Sequence, residues 1–131
     1  MRVCSKCGKN RALKFYAGPR GRICATCRKE STSAAAHARR LLELYGITAL
    51  EYAALLLFQK GVCAGCGQAR RYRLNVDHDH KVEKERGSRA SVRGLLCRRC
   101  NKLLRDCRDN AELLEALAHY LRHWPSKGVI E

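Results

Sequence analysis

At 131 residues the chain has room for one small domain or two very small ones, whose thin hydrophobic cores usually need staples. Its 27 Lys/Arg against 12 Asp/Glu give a formal charge of +15, the balance of a protein that meets a polyanion. The N-terminus, Met-Arg-Val-Cys-Ser-Lys-Cys-Gly, lacks the apolar stretch of a secretory signal, and the longest apolar run, Ala53 to Phe58, is far too short to span a bilayer. A cytoplasmic protein with no membrane partner is therefore expected, and in a reducing compartment eight cysteines in four Cys-x-x-Cys pairs favour metal over disulfides.

Residues 1–30 read as an N-terminal zinc knuckle. Cys4-Ser-Lys-Cys7 is followed after sixteen residues by Cys24-Ala-Thr-Cys27, with Gly18-Pro19-Arg20-Gly21 as the turn between. Residues 31–60 read as a helical connector. Ser31-Thr32-Ser33 offers an N-cap to an Ala/Leu/Arg-rich helix that stops near Gly46. Thr48-Ala-Leu-Glu51 is a capping box for a second helix ending at Gly61, with Leu50, Ala53, Ala54 and Leu57 as its apolar stripe. These helices can pack on their own core or on a second copy of the chain.

Residues 61–108 hold the second pair of knuckles, Cys63/Cys66 and Cys97/Cys100, pinning the 30 residues between Cys66 and Cys97 as a loop. Within it Leu74–Asp77 and Ser91–Leu95 are expected strands, joined by a charged loop from Lys81 to Ala90, and a helix should start near Cys97–Cys100 and run through Leu103 and Leu104. Strand, loop, strand, helix with metal ligands at the ends is the ββα-metal order. Residues 109–131 are expected to form a terminal helix and tail. Asp109-Asn-Ala-Glu112 opens the helix, Leu113, Leu114, Leu117 and Leu121 form its buried stripe, and Trp124 anchors its end before Pro125. His119 and His123 share a face of that helix in a surface role, and His37 and Cys107 are read as structural.

Two Cys4 zinc sites would lower the charge to about +11, still strongly basic. The excess is clustered: residues 1–29 hold nine Lys/Arg and no acid, and residues 81–105 hold nine against Glu83 and Glu85. Arg93, Arg98, Arg99 and Lys102 are the candidate phosphate contacts, Arg93 as a bidentate clamp. Hydrolysis of a phosphodiester needs a base to activate water and a hard divalent cation to stabilise charge on the phosphate. His78 suits the first need, and the oxygen donors of Asp77 and Asn101 suit Mg²⁺ or Mn²⁺. Neighbours on a strand point to opposite faces, so Asp77 and His78 can divide these tasks only if the strand end is locally twisted, whereas His80 should share the face of His78 if the strand continues.

Asp77-His78-Asp79-His80, followed by Val92-Arg93-Gly94-Leu95-Leu96-Cys97 and Cys100-Asn101, resembles the recombination endonuclease VII family of phage HNH, or ββα-metal (His-Me finger), nucleases. The close likeness covers roughly residues 61–101. It implies a small zinc-stapled α+β fold, a nuclease core flanked by helices, and DNA as substrate in the cytoplasm of a phage host. It further implies Asp77 and Asn101 as ligands of a catalytic Mg²⁺ or Mn²⁺, His78 as general base, His80 as a phosphate or substrate contact, and Cys63, Cys66, Cys97 and Cys100 as structural zinc ligands. The junction-resolving member of the family carries an acid one helical turn after the Asn, where this chain has Leu104. Branch resolution takes two coordinated cuts and hence predicts a homodimer through the helices at 32–60, and a non-catalytic zinc-ribbon DNA-binding or regulatory protein is the competing reading.

Overall fold

The computed structural model describes residues 1–130, which are α+β and fall into two compact units, Met1–Ala53 and the residues from Ala54 on. The boundary falls inside the second helix.

The first unit is organised by its knuckles. Strands β1 (Arg2–Val3) and β2 (Asn10–Arg11) pair antiparallel, Arg2 opposite Arg11 and Val3 opposite Asn10, and enclose a turn in which Gly8 N–H donates to the Cys4 carbonyl. Gly8 turns there at φ 68°, a conformation that costs a residue without Cβ little. Cys4, Tyr16, Cys24 and Cys27 are buried together, and the Tyr16 hydroxyl donates to the Arg2 carbonyl at 2.6 Å. Helix α1 spans Ala25–Tyr45 and so begins a turn and a half before the expected cap at Ser31. The second knuckle is the cause: Cys24 is extended at φ −70°, ψ 160°, and the helix continues directly from it. Gly46 ends α1 as anticipated, at φ 64°, its N–H reaching the carbonyls of Leu41 and Leu42. Leu41, Ile47 and Tyr52 are buried, with His37 edge-on to Tyr52 at 4.7 Å. The capping box also forms: the Thr48 hydroxyl oxygen accepts from Glu51 N–H at 3.1 Å, and the Glu51 carboxylate accepts from Thr48 N–H at 3.3 Å.

Helix α2 (Ala49–Phe58) leads into the second unit. Strands β3 (Asn75–His78) and β4 (Val92–Leu96) form an antiparallel hairpin, one residue displaced from the expected spans. Helix α5 (Arg98–Asp106) packs against both strands. Cys63, Leu74, Val76, Leu95, Leu96 and Cys97 are buried. The segment expected to be a charged loop is instead two short helices, α3 (His80–Arg86) and α4 (Ser88–Ser91). Asp79 is the reason: its carboxylate accepts from the N–H groups of Lys81 and Val82 at 2.8 and 3.1 Å and nucleates α3. Helix α6 (Ala111–Arg122) starts at Asn110, whose side chain accepts from Leu113 N–H. Its leucine stripe departs from expectation. Leu121 is 69% exposed and Leu113, Leu114 and Leu117 are also exposed, as are Leu50 and Leu57 of α2. Trp124 is likewise exposed; its indole N–H donates to the Leu121 carbonyl and Lys127 lies over its ring at 5.8 Å. No single helix among the described residues is long and apolar enough to cross a membrane, and α1 and α2 meet that test only when taken together.

Candidate active site and metal frame

Two tetracysteine clusters form, and each can hold zinc. In Cys4/Cys7/Cys24/Cys27 and in Cys63/Cys66/Cys97/Cys100 the four sulfurs lie within 4.8 Å of one another. The Cys66 and Cys97 sulfurs are 3.8 Å apart, far beyond a disulfide bond and close to the edge, about 3.8 Å, of a tetrahedron with Zn–S bonds of about 2.3 Å. Backbone N–H groups of the knuckles aim at these sulfurs: Cys24 N–H donates to Cys4 at 3.3 Å and Cys97 N–H to Cys63 at 3.2 Å. The N–H groups of Cys24 and Cys7 hold the Cys4 thiol down at about 6, and that of Cys100 does the same to Cys97. Burial pushes the Cys27 and Cys100 thiols up to about 12, so these two ligands keep their protons at neutral pH until a cation takes their place. Glycine suits position 65 between Cys63 and Cys66, because a Cβ there would lie 3.3 Å from the Cys100 sulfur, a tight approach. The Arg70 guanidinium reaches Cys66 and Cys97 at 3.9 Å each and offsets thiolate charge.

The hairpin between these knuckles carries the Asp-His-Asp-His run. Asn75 pairs with Leu96, Val76 with Leu95 and Asp77 with Gly94, but His78 pairs with Val92, so Arg93 is an extra residue in β4. This is a β-bulge, a device that bends a strand and redirects a side chain. It falls between Asp77 and His78, at the strand end where a local twist is expected. The bulge gives Arg93 to Asp77. Its Nε donates to Asp77 Oδ2 at 2.7 Å and its Nη2 to Oδ1 at 2.9 Å, a bidentate pair on a carboxylate only 7% exposed as a residue. Arg93 Nη2 also reaches Asp109 at 3.1 Å, and Nη1 lies 3.9 Å from Asp79. Asp77 first and then Asp109 hold the guanidinium firmly protonated.

The other two members of the run face a different carboxylate. His78 Nε2 is 3.3 Å from Glu83 Oε2 and His80 Nδ1 is 3.8 Å from the same oxygen, the two rings edge-on at 4.5 Å. The strand ends at His78, so His80 does not extend its face as expected; it opens α3 and comes beside His78 from the helix. Asn101 sits half-buried in α5, the helix packed on both strands. Arg98, Arg99 and Lys102 are exposed on the same helix. The Arg98 guanidinium stacks 4.2 Å from the Tyr72 ring, and Lys102 pairs with Asp106 at 2.7 Å.

Three participants escape the sequence. Gln59 Oε1 accepts from Leu95 N–H at 2.9 Å while its Nε2 donates to the carbonyls of Leu95 and Val62, pinning β4 to the exit of α2. Its partner lies 36 residues away in the chain, so no local signal marks it. Asp109, at φ 56° in the turn between α5 and α6, is aimed at Arg93 by a backbone state that Asp tolerates better than most residues. Glu83 lies inside the charged run and is brought to the histidines by α3.

The family described as recombination endonuclease VII matches residues 38–123. Gene 59 protein of Mycobacterium phage D29 is 45% identical over 121 residues, covering 88% of this chain and 67% of the relative. Gene 59 protein of Mycobacterium phage L5 is 40% identical over 121 residues, covering 88% and 68%. The chain thus spans about two thirds of the length of these relatives. No solved structure matches.

Proposed function

The chain belongs to the recombination endonuclease VII family, and on that premise we propose that it is a metal-dependent HNH endonuclease that hydrolyses phosphodiester bonds of duplex or branched DNA. The observation that carries the reading is the bulge at Arg93, which lets one strand end present a buried carboxylate and a half-buried imidazole to different partners. His78 is the base that takes the proton from the attacking water. Asp77 and Asn101 would hold Mg²⁺ or Mn²⁺, which supplies stabilisation of charge on the phosphate and the leaving oxygen. The donor chemistry fits: an ionised carboxylate has about four lone-pair sites, of which Arg93 uses two, leaving oxygen for a hard cation.

Arg93 acts in this reading by fixing Asp77 rather than by clamping the DNA. Phosphates fall to Arg98, Arg99 and Lys102 on α5, with Arg98 steadied by Tyr72. His80 is a substrate contact on the open side of His78, its side chain 74% exposed. The two cysteine clusters, with zinc as structural ion, hold the hairpin and the N-terminal knuckle in place. Paired cutting of a branch needs two active sites, and a homodimer through the helices at 32–60 supplies them.

The test is cleavage of one DNA sequence presented as supercoiled plasmid, linear duplex and four-way junction, with Mg²⁺ or Mn²⁺, by the native chain and by His78→Ala. Paired cuts at the junction, lost in the variant, identify a resolvase despite Leu104. Nicking without preference, lost in the variant, identifies a general nickase. Binding without turnover in any divalent metal returns the protein to a non-catalytic zinc-ribbon role.

A further inference from the structure

We propose that His78, His80 and Glu83 form a further cation site, selective for zinc and similar first-row metals, whose occupation switches the nuclease off. Three donor atoms, one from each residue, lie within 4.8 Å of one another. Glu83 Oε2 stands 3.3 Å from His78 Nε2 and 3.8 Å from His80 Nδ1. A tetrahedral ion with ligand bonds of about 2.1 Å has edges of about 3.4 Å, so small ring rotations close the set. Two imidazoles and one carboxylate prefer zinc, nickel, cobalt or copper to magnesium. The site is built: Asp79 caps α3 and fixes the first turn from which Glu83 projects, while His78 is held at the end of β3.

Occupation has a chemical consequence, and this part rests on His78 being the base. A neutral imidazole has one acceptor nitrogen, and its other nitrogen carries the proton. An ion on Nε2 of His78 consumes that acceptor and leaves Nδ1 as N–H, so the ring can no longer take a proton from water whichever nitrogen faces the substrate. The chain then discriminates two classes of cation, a hard one that supports cutting through Asp77 and Asn101 and a borderline one that blocks it through His78.

The test begins with the full chain carrying zinc in both cysteine clusters, titrated with Co²⁺. A visible band of nitrogen- and oxygen-ligated cobalt, without thiolate-to-cobalt charge transfer, is expected. Loss of a hydrogen-bonded outer partner alone costs a metal site about 10–100-fold in affinity, so Glu83→Gln is expected to weaken cobalt binding at least tenfold. A His119→Gln/His123→Gln variant is expected to bind as the native chain does, which excludes the stacked pair on α6 as the source. In the second arm Zn²⁺ is added to Mg²⁺-supported plasmid cutting, each variant normalised to its own rate without zinc. Inhibition in the native chain and a shift to at least tenfold higher zinc in Glu83→Gln support the proposal. Absence of the cobalt band, or its loss in the α6 variant instead, overturns the site whatever the nuclease does. A cobalt band combined with unchanged or faster cutting in zinc overturns the inhibitory role. Absence of cutting with any metal overturns the nuclease reading and with it the switch, while the cobalt arm still decides the site.

Discussion

Truncating Arg93 to alanine tests the linkage between the bulge and the site. Asp77 has a side chain only 9% exposed, and both its oxygens accept from Arg93. Removing the guanidinium strands a nearly buried carboxylate, and breaking a buried pair typically costs about 3–5 kcal/mol. Arg93 keeps 33% of its side chain in water, so solvent can enter the vacated space, and about 2–3 kcal/mol is the expected loss. A chain with two units is a poor subject for a single unfolding transition. The observable is therefore the local opening free energy of the β3–β4 hairpin, read by native-state hydrogen exchange at the amides of Val76, Leu95 and Leu96 in the zinc-loaded protein. Asp77→Ala removes the acid but leaves an arginine that can still reach water and Asp109, so it costs little by itself, and the double variant, which strands no carboxylate, should be clearly less destabilised than Arg93→Ala. The expected coupling between the two positions is about 2 kcal/mol, whereas independent sites add within about 0.5 kcal/mol. Additive effects would show that the guanidinium is solvated in solution and that the bulge is held by other contacts.

Three further outcomes follow from the same geometry. Gln59→Ala should open β4 by about 1–3 kcal/mol at the Leu95 amide, because it removes the acceptor of Leu95 N–H while the Leu95 carbonyl keeps the N–H of Ala64, and unchanged exchange there would show that water replaces the amide. Zinc binding to the metal-free protein should release protons at pH 7, since burial holds the Cys27 and Cys100 thiols at about 12, while Cys4 and Cys97, at about 6, are already thiolates. As pH falls through about 6 these two also protonate and zinc affinity should drop further; calorimetry in buffers of different ionisation enthalpy measures the release, and a heat independent of buffer refutes it. Mild EDTA should abolish cutting while far-ultraviolet circular dichroism stays intact, and only harsher chelation should unfold the chain; loss of fold at the first stage would mean that the weakly held ion is structural.

Which parts of this arrangement were legible depends on how far apart the deciding atoms are in sequence. The cysteine clusters are legible because Cys-x-x-Cys is a local turn that already places two sulfurs together. The capping box at Thr48 and the stop at Gly46 are legible for the same reason: donor and acceptor are three to five residues apart. Ser31 misleads because three consecutive capping residues look like a start, yet a cysteine knuckle had already opened the helix at Cys24. The segment after His80 misleads because its charge suggests a loop, while Asp79 supplies the cap that turns it into helix. The leucines of α6 are correctly helical in spacing, but periodicity shows only that a face is apolar and not that anything covers it.

The Asp-His-Asp-His run lies between these cases. Alternation along a strand predicts that residues two apart share a side, and the partners sort the same way although the strand ends at His78: Asp77 and Asp79 both turn to Arg93, at 2.7 and 3.9 Å, while His78 and His80 both turn to Glu83. Sequence alone could not supply the partners. Arg93 reaches Asp77 only because the register slips by one residue between Gly94 and Val92, and a slip of one residue sends a side chain to the other face of a strand. Glu83 reaches the histidines only because α3 forms. The local pattern therefore sorts the four residues into an acid pair and an imidazole pair, and two distant irregularities, a bulge and a short helix, decide what each pair can do.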